Sequence, residues 1–98
     1  MAVRYVYLKT LERMFAGELI MYSENGWCLP SYTEATIVAE SLNKLGCFKE
    51  DLRFYHPEIN RVQYFKLSAQ GLYQLQQGRD WWRSLNFIEK AKIRLLLC

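Results

Sequence analysis

Between Pro30 and Gly46 the chain has room for one helix and no more. Proline ends a strand or opens a turn, and glycine takes the left-handed conformation that stops a helix. The interval between them holds about four turns at 3.6 residues each. Inside it, Ser31-Tyr32-Thr33-Glu34 has the spacing of a capping box, in which hydroxyl and carboxylate each satisfy an orphan backbone amide. A helix is expected over 31–45, burying Ala35, Val38, Leu42 and Leu45, with Glu40 and Lys44 as an i,i+4 pair outside. An architecture that needs two consecutive helices here must replace one of them.

The flanking segments read more simply. Over residues 1–20 the spacing of Leu8, Leu11, Phe15 and Leu19 gives one apolar helix face, with Lys9, Glu12 and Arg13 turned away. Residues 19–29 form two short apolar runs around Glu24-Asn25-Gly26, the composition of a hairpin turn. From 48 to 67 a second hairpin is expected, turning at His56-Pro57. In it Leu52 and Phe54 alternate with Arg53 and Tyr55, and Phe65 and Leu67 alternate with Tyr64 and Lys66. Ser68 then caps a helix over 68–77, with Leu67 and Leu72 placed as a staple and Gly78 as its stop. Asp80 caps a last helix over 80–97, with Trp81, Leu85, Ile88, Leu95 and Leu96 on one side. Arg83, Phe87, Lys90 and Arg94 share the other side. The sum is one α+β domain of about four helices and one or two β-hairpins.

Chemistry-bearing residues are sparse. His56 is the only histidine, and Cys28, Cys47 and Cys98 form no CxxC pair, so no zinc spacing exists and no metal or cofactor is expected. His56 has Glu58 near it but no nucleophile, and no phosphate loop or catalytic carboxylate pair can be assembled, so the chain is read as non-enzymatic. Free thiols suit a reducing compartment, and neither a secretory leader nor a membrane-length apolar run stands out; a cytoplasmic location away from membranes is expected. The net charge of +3 is concentrated late: residues 61–98 carry seven basic against two acidic side chains, which makes that third a candidate polyanion footprint.

Leu42-x-x-Leu45-Gly46 followed, after a second hairpin, by Phe65-Lys66-Leu67-Ser68-Ala69-Gln70-Gly71 resembles winged-helix DNA-binding regulators. Those proteins end a recognition helix on a leucine–glycine pattern, make a two-stranded wing, and close with an aromatic-x-Leu-Ser/Thr-x-x-Gly turn into another helix. The resemblance covers about half of the chain and implies a small winged-helix-like fold. It departs where a helix-turn-helix carries its bracing helix. Either the 19–29 hairpin replaces that helix or the DNA-reading unit is absent.

Two functions from different classes follow. The first is a small transcriptional regulator bound to double-stranded DNA. Arg53, Arg61 and Lys66 would track phosphates, Tyr55 and Tyr64 would pack on bases or sugars, and Asn43 and Lys44 would face the groove. Ordinary cross-strand Tyr–Arg pairing accounts for the same face without a ligand. The second is a protein of the kind phage and mobile elements use to block a host enzyme or defence complex. Trp82, Phe87, Arg83, Lys90 and Arg94 would form its interface. A cation–π contact at the edge of the core is the plain alternative for Trp82. Pairing of two copies through the last helix is compatible with both.

Overall fold

The computed structural model describes residues 2–54 and 62–97. Among them are four α-helices and four strands: α1 (Ala2–Phe15), β1 (Ile20–Ser23), β2 (Gly26–Cys28), α2 (Ala35–Lys44), β3 (Phe48–Glu50), β4 (Gln63–Leu67), α3 (Ala69–Ser84) and α4 (Phe87–Leu97). The strands make one antiparallel sheet of order β2-β1-β4-β3, so the two expected hairpins are halves of a single sheet joined by Ile20↔Phe65 and Met21↔Tyr64. A single α-helix lies between β2 and β3, and the β1–β2 hairpin precedes it.

One face of the sheet meets the helices. Phe48, Phe65 and Leu67 pack with Trp27 against Met14, Ile20, Leu29, Ala35 and Ala39. A second cluster joins Val6, Leu8 and Leu11 of α1 to Val38 and Leu42 of α2 and Leu75 of α3. The apolar spacing of α2 is met at Ala35, Val38 and Leu42, but Leu45 is 51% exposed because the helix has already ended. Phe15 likewise sits outside the core; the guanidinium of Arg79 lies 5.1 Å above its ring.

Local chemistry sets where the helices stop. Helix α1 was expected to reach residue 20 but ends at Phe15, because Gly17 takes φ +105° and closes a Schellman motif, Gly17 N–H to Met14 O and Glu18 N–H to Arg13 O. The same motif ends α2 at Gly46 (φ +80°), through Gly46 N–H to Asn43 O and Cys47 N–H to Leu42 O. At the other end of α2 the expected capping box does not form. The helix begins at Ala35, four residues after Ser31, and Glu34 stands at the cap position without a side-chain bond to the helix backbone. Ser31 instead donates to the Glu18 carboxylate, and the residues ahead of the helix are held in turns by Tyr32 N–H to Leu29 O and Ala35 N–H to Tyr32 O. A local signature lost to a nonlocal partner.

The C-terminal third also departs from expectation. Helix α3 runs through Gly78 and Asp80 to Ser84. Gly78 is a packing residue: a Cβ there would lie 3.1 Å from Leu8 Cδ1, where α3 meets α1. Asp80 caps nothing; it accepts from Gln76 Nε2 at 3.1 Å and from Arg83 Nη1 at 3.4 Å. The break falls at Leu85, which is extended, and a capping box at Asn86 starts α4: Glu89 N–H donates to Asn86 Oδ1 at 2.8 Å and Asn86 N–H to Glu89 Oε1 at 3.4 Å. With the helix split, the expected apolar side of 80–97 is divided, and Ile88 and Leu95 are 63% and 83% exposed.

Ser68 is a cap as expected, and more than a cap. Its Oγ accepts from Gly71 N at 3.0 Å and donates to Gly46 O at 2.5 Å, while its own N–H donates to Cys47 O at 2.9 Å. Gly71 lies so close to this joint that a Cβ would be 2.4 Å from Cys47 O and 2.6 Å from Leu67 Cδ1. The carbonyl is backbone and cannot swing aside. Gly71→Ala is expected to destabilise the fold by about 1–3 kcal/mol, despite alanine's better helix propensity, read as a lower urea midpoint.

Candidate nucleic-acid interface

Strand β4 alternates, as period two requires: Phe65 and Leu67 turn into the core, while Lys66 is exposed on the opposite face with Tyr64 two residues before it. Across the ladder Lys66 stands directly opposite Lys49 of β3, which is also exposed. Two lysines on opposed positions repel, and neither makes an ion pair among the described residues. Lys49 was missed in the sequence because β3 is only three residues long; the alternation Phe48-Lys49-Glu50 was its one signal.

Arg53 was expected on a strand beside Tyr55 and is not. Leu52–Phe54 form a 3-10 turn, because Asp51 ends the ladder and folds the next residues back on itself. Asp51 N–H donates to Tyr64 O at 2.8 Å, the last bond of the β3–β4 edge. Its buried carboxylate accepts from Arg53 N at 3.2 Å, Nε at 2.9 Å and Nη2 at 2.6 Å. Those bonds from the Arg53 side chain, more than any other influence, lower the Asp51 carboxyl to about 2, against the pull of desolvation; Lys66 adds a smaller share. Arg53 reaches the surface paired with Asp51, whereas Lys49 and Lys66 make no ion pair among the described residues, Lys66 exerting only its smaller pull on Asp51. Tyr55 and Arg61 lie outside the described residues.

On α2, Asn43 and Lys44 are exposed in the last turn, immediately before the Gly46 stop that leads into β3. Glu40, which would repel a phosphate backbone from this helix, accepts a 3.0 Å hydrogen bond from Trp27 Nε1. That indole belongs to an aromatic group on the inner face of the sheet, with Tyr22, Phe48 and Phe65 at centroid distances of 4.6, 5.4 and 5.3 Å.

The residues expected at a protein interface lie at the other end of the molecule. Trp82 is half-buried, with Tyr5 at 4.9 Å, Arg94 at 5.3 Å and Lys90 at 5.7 Å around its ring. Arg83 is paired with Asp80, and Phe87 is 85% exposed. The structure therefore brings Trp82, Lys90 and Arg94 into one contact. Cys47 is buried, which pushes its thiol up, and Cys28 is exposed on the face of the sheet that carries Lys49 and Lys66. Among the described residues no helix is long and apolar enough to cross a membrane, and no cluster of His, Cys, Asp or Glu could hold a metal. Compared with family models, curated proteins and solved structures, the chain matches none.

The Asp51–Arg53 pair makes stability depend on acid. A carboxyl that titrates at about 2 when folded and at about 3.9 when unfolded contributes stability that is complete above the unfolded value and lost as pH falls through the folded one. In urea unfolding, the stability difference between the wild type and Asp51→Asn is expected to be constant above about pH 5 and to shrink toward pH 2. The Asp51 carboxyl carbon shift should titrate in the same window.

Proposed function

We propose that the protein is a non-enzymatic, winged-helix-type DNA-binding regulator that meets duplex DNA through the solvent face of the β3–β4 strands. The observation that carries the reading is the Lys49–Lys66 pair, two opposed lysines on the solvent face of the sheet that make no ion pair among the described residues. Such a pair costs stability in the free protein and is relieved by a phosphate backbone, where each lysine displaces a condensed counterion. Tyr64, on the same face, is placed to lie against a sugar or base. Asn43 and Lys44 are exposed at the end of α2, which packs on the other face of the sheet, so the phosphate contact falls to Lys49 and Lys66.

The winged-helix resemblance gains support from its own two halves. The glycine that ends α2 and the serine that opens α3 are hydrogen-bonded to one another, so the leucine–glycine stop and the closing turn form one unit. The β1–β2 hairpin would take the place of the bracing helix, and backbone contact would fall to the sheet rather than to a helix-turn-helix.

Fluorescence anisotropy with a short mixed-sequence duplex tests this across a salt series. Binding is expected to weaken linearly in log–log form with added salt. The Lys49→Ala/Lys66→Ala double variant should lose about two units of that slope, at about 0.9 per phosphate contact, with an unchanged circular dichroism spectrum. Absence of duplex binding at low salt rejects the reading.

A further inference from the structure

Among the described side chains of helix α4, three large apolar ones are uncovered: Phe87 (85% exposed), Ile88 (63%) and Leu95 (83%). Phe87, Ala91 and Leu95 recur at four-residue steps and share one side of the helix. With Lys90 and Arg94 they line a shallow groove of about 300 Å³. Arg94 also belongs to a second groove of about 350 Å³ between α1, α3 and α4, which Lys9, Arg79, Arg83 and Trp82 help to line. The two grooves share Arg94; the first is lined by α4 alone, the second by Lys9, Arg79, Arg83 and Arg94 together with Glu12.

The cations here are of two kinds. Arg79 and Arg83 have carboxylate partners, Glu12 at 3.7 Å and Asp80 at 3.4 Å. Lys9, Lys90 and Arg94 make no ion pair among the described residues and rest on rings, Lys9 on Tyr5 at 5.8 Å and the other two on Trp82. A ring holds a cation in place without neutralising it. Two ring-held cations that make no ion pair among the described residues, Lys90 and Arg94, therefore border a stripe of exposed apolar surface; Lys9 lies in the neighbouring groove, and Lys92 is exposed on the same helix.

From this juxtaposition we infer that α4 and the adjoining groove form a docking surface for an acidic amphipathic helix of a partner protein. The chemistry selects this occupant over others. A second copy docking by α4 would bring Lys90, Lys92 and Arg94 against their own counterparts, and like charges across an interface oppose association. Duplex DNA would satisfy the cations but leave the apolar side chains against a phosphate backbone. A lipid surface is flat, whereas Arg94 beside the apolar stripe also lines the recess between α1, α3 and α4. A helix whose apolar residues recur at i, i+4 and i+7 with carboxylates alongside satisfies both halves at once. The surface is distinct from the Lys49–Lys66 face, so the inference stands or falls separately from DNA binding.

The test uses the intact chain and three synthetic helical peptides. One carries leucine on one face and glutamate elsewhere, the second has glutamine for glutamate, and the third has serine for leucine. Titration by calorimetry, with the Trp82 indole N–H followed by NMR, is expected to show saturable binding of the first peptide and at least about tenfold weaker binding of the other two. Phe87→Ala and Arg94→Ala should each weaken the first peptide by about tenfold, whereas Lys49→Ala/Lys66→Ala should leave it unchanged. Phe87 is almost fully exposed, so its variant keeps the fold, which circular dichroism checks. Equal binding of the glutamine peptide overturns the acidic requirement and with it the inference; so does equal binding of the serine peptide. Failure of the first peptide to bind, or its binding without movement of the Trp82 signal, also overturns it. So does a dimer in sedimentation that Phe87→Asp dissolves, or binding to phosphatidylserine vesicles in preference to the peptide.

Discussion

The Ser68 hydroxyl ties the end of α2 to the start of α3. Ser68 Oγ donates to the carbonyl of Gly46 and accepts from the amide of Gly71, and the Ser68 amide bonds the carbonyl of Cys47. Each of these backbone groups would otherwise be an orphan at a helix end or beside one. Satisfying them together fixes where α2 stops, where β4 stops and how α3 departs. The close approach leaves no room for a side chain at residue 71, so the glycine there is a steric requirement rather than a turn former. Leu75, one turn further along α3, is then delivered into the cluster built by α1 and α2.

That joint explains which parts of the fold could be read from the sequence. Ser68 as a cap, Gly46 as a stop and the alternation of Phe65 and Leu67 with Tyr64 and Lys66 are local patterns whose partners lie within a few residues. They appear in the structure where the pattern puts them. Ser31 carried an equally good local signature, but its hydroxyl went to Glu18, thirteen residues away, and α2 began later. Gly78 looked like a stop because glycine usually marks one; here it serves the contact with Leu8, which no local pattern reveals. Asn86 and Glu89 had the spacing of a capping box all along, masked by the aromatic run that suggested an uninterrupted helix from Asp80.

The candidate site was legible to a similar degree and for the same reason. Lys66 and Tyr64 follow from strand alternation, and Asn43 and Lys44 from their place before Gly46. Lys49 is a member by cross-strand register alone, and register belongs to the pairing of two strands rather than to either one. Arg53 fails the strand alternation because Asp51 is buried. A buried carboxylate needs a cation, the nearest is two residues on, and reaching it bends the chain into a 3-10 turn.

Compensation of charge, rather than its total, is what divides the surface. The net charge of +3 is mild and would steer little by itself. Arg53 is matched by Asp51, Arg79 by Glu12, Arg83 by Asp80, and Glu40 is engaged by Trp27. Of the cations that make no ion pair among the described residues, two groups stand in contrasting surroundings. On the sheet, Lys49 and Lys66 stand beside tyrosine and polar side chains; at α4, Lys90 and Arg94 stand beside Phe87 and Leu95. A polyanion gains nothing from exposed phenylalanine and leucine, and an amphipathic partner gains little from a polar sheet face. The same positive charge therefore addresses different ligands at the two ends, with the neighbouring uncharged residues deciding which.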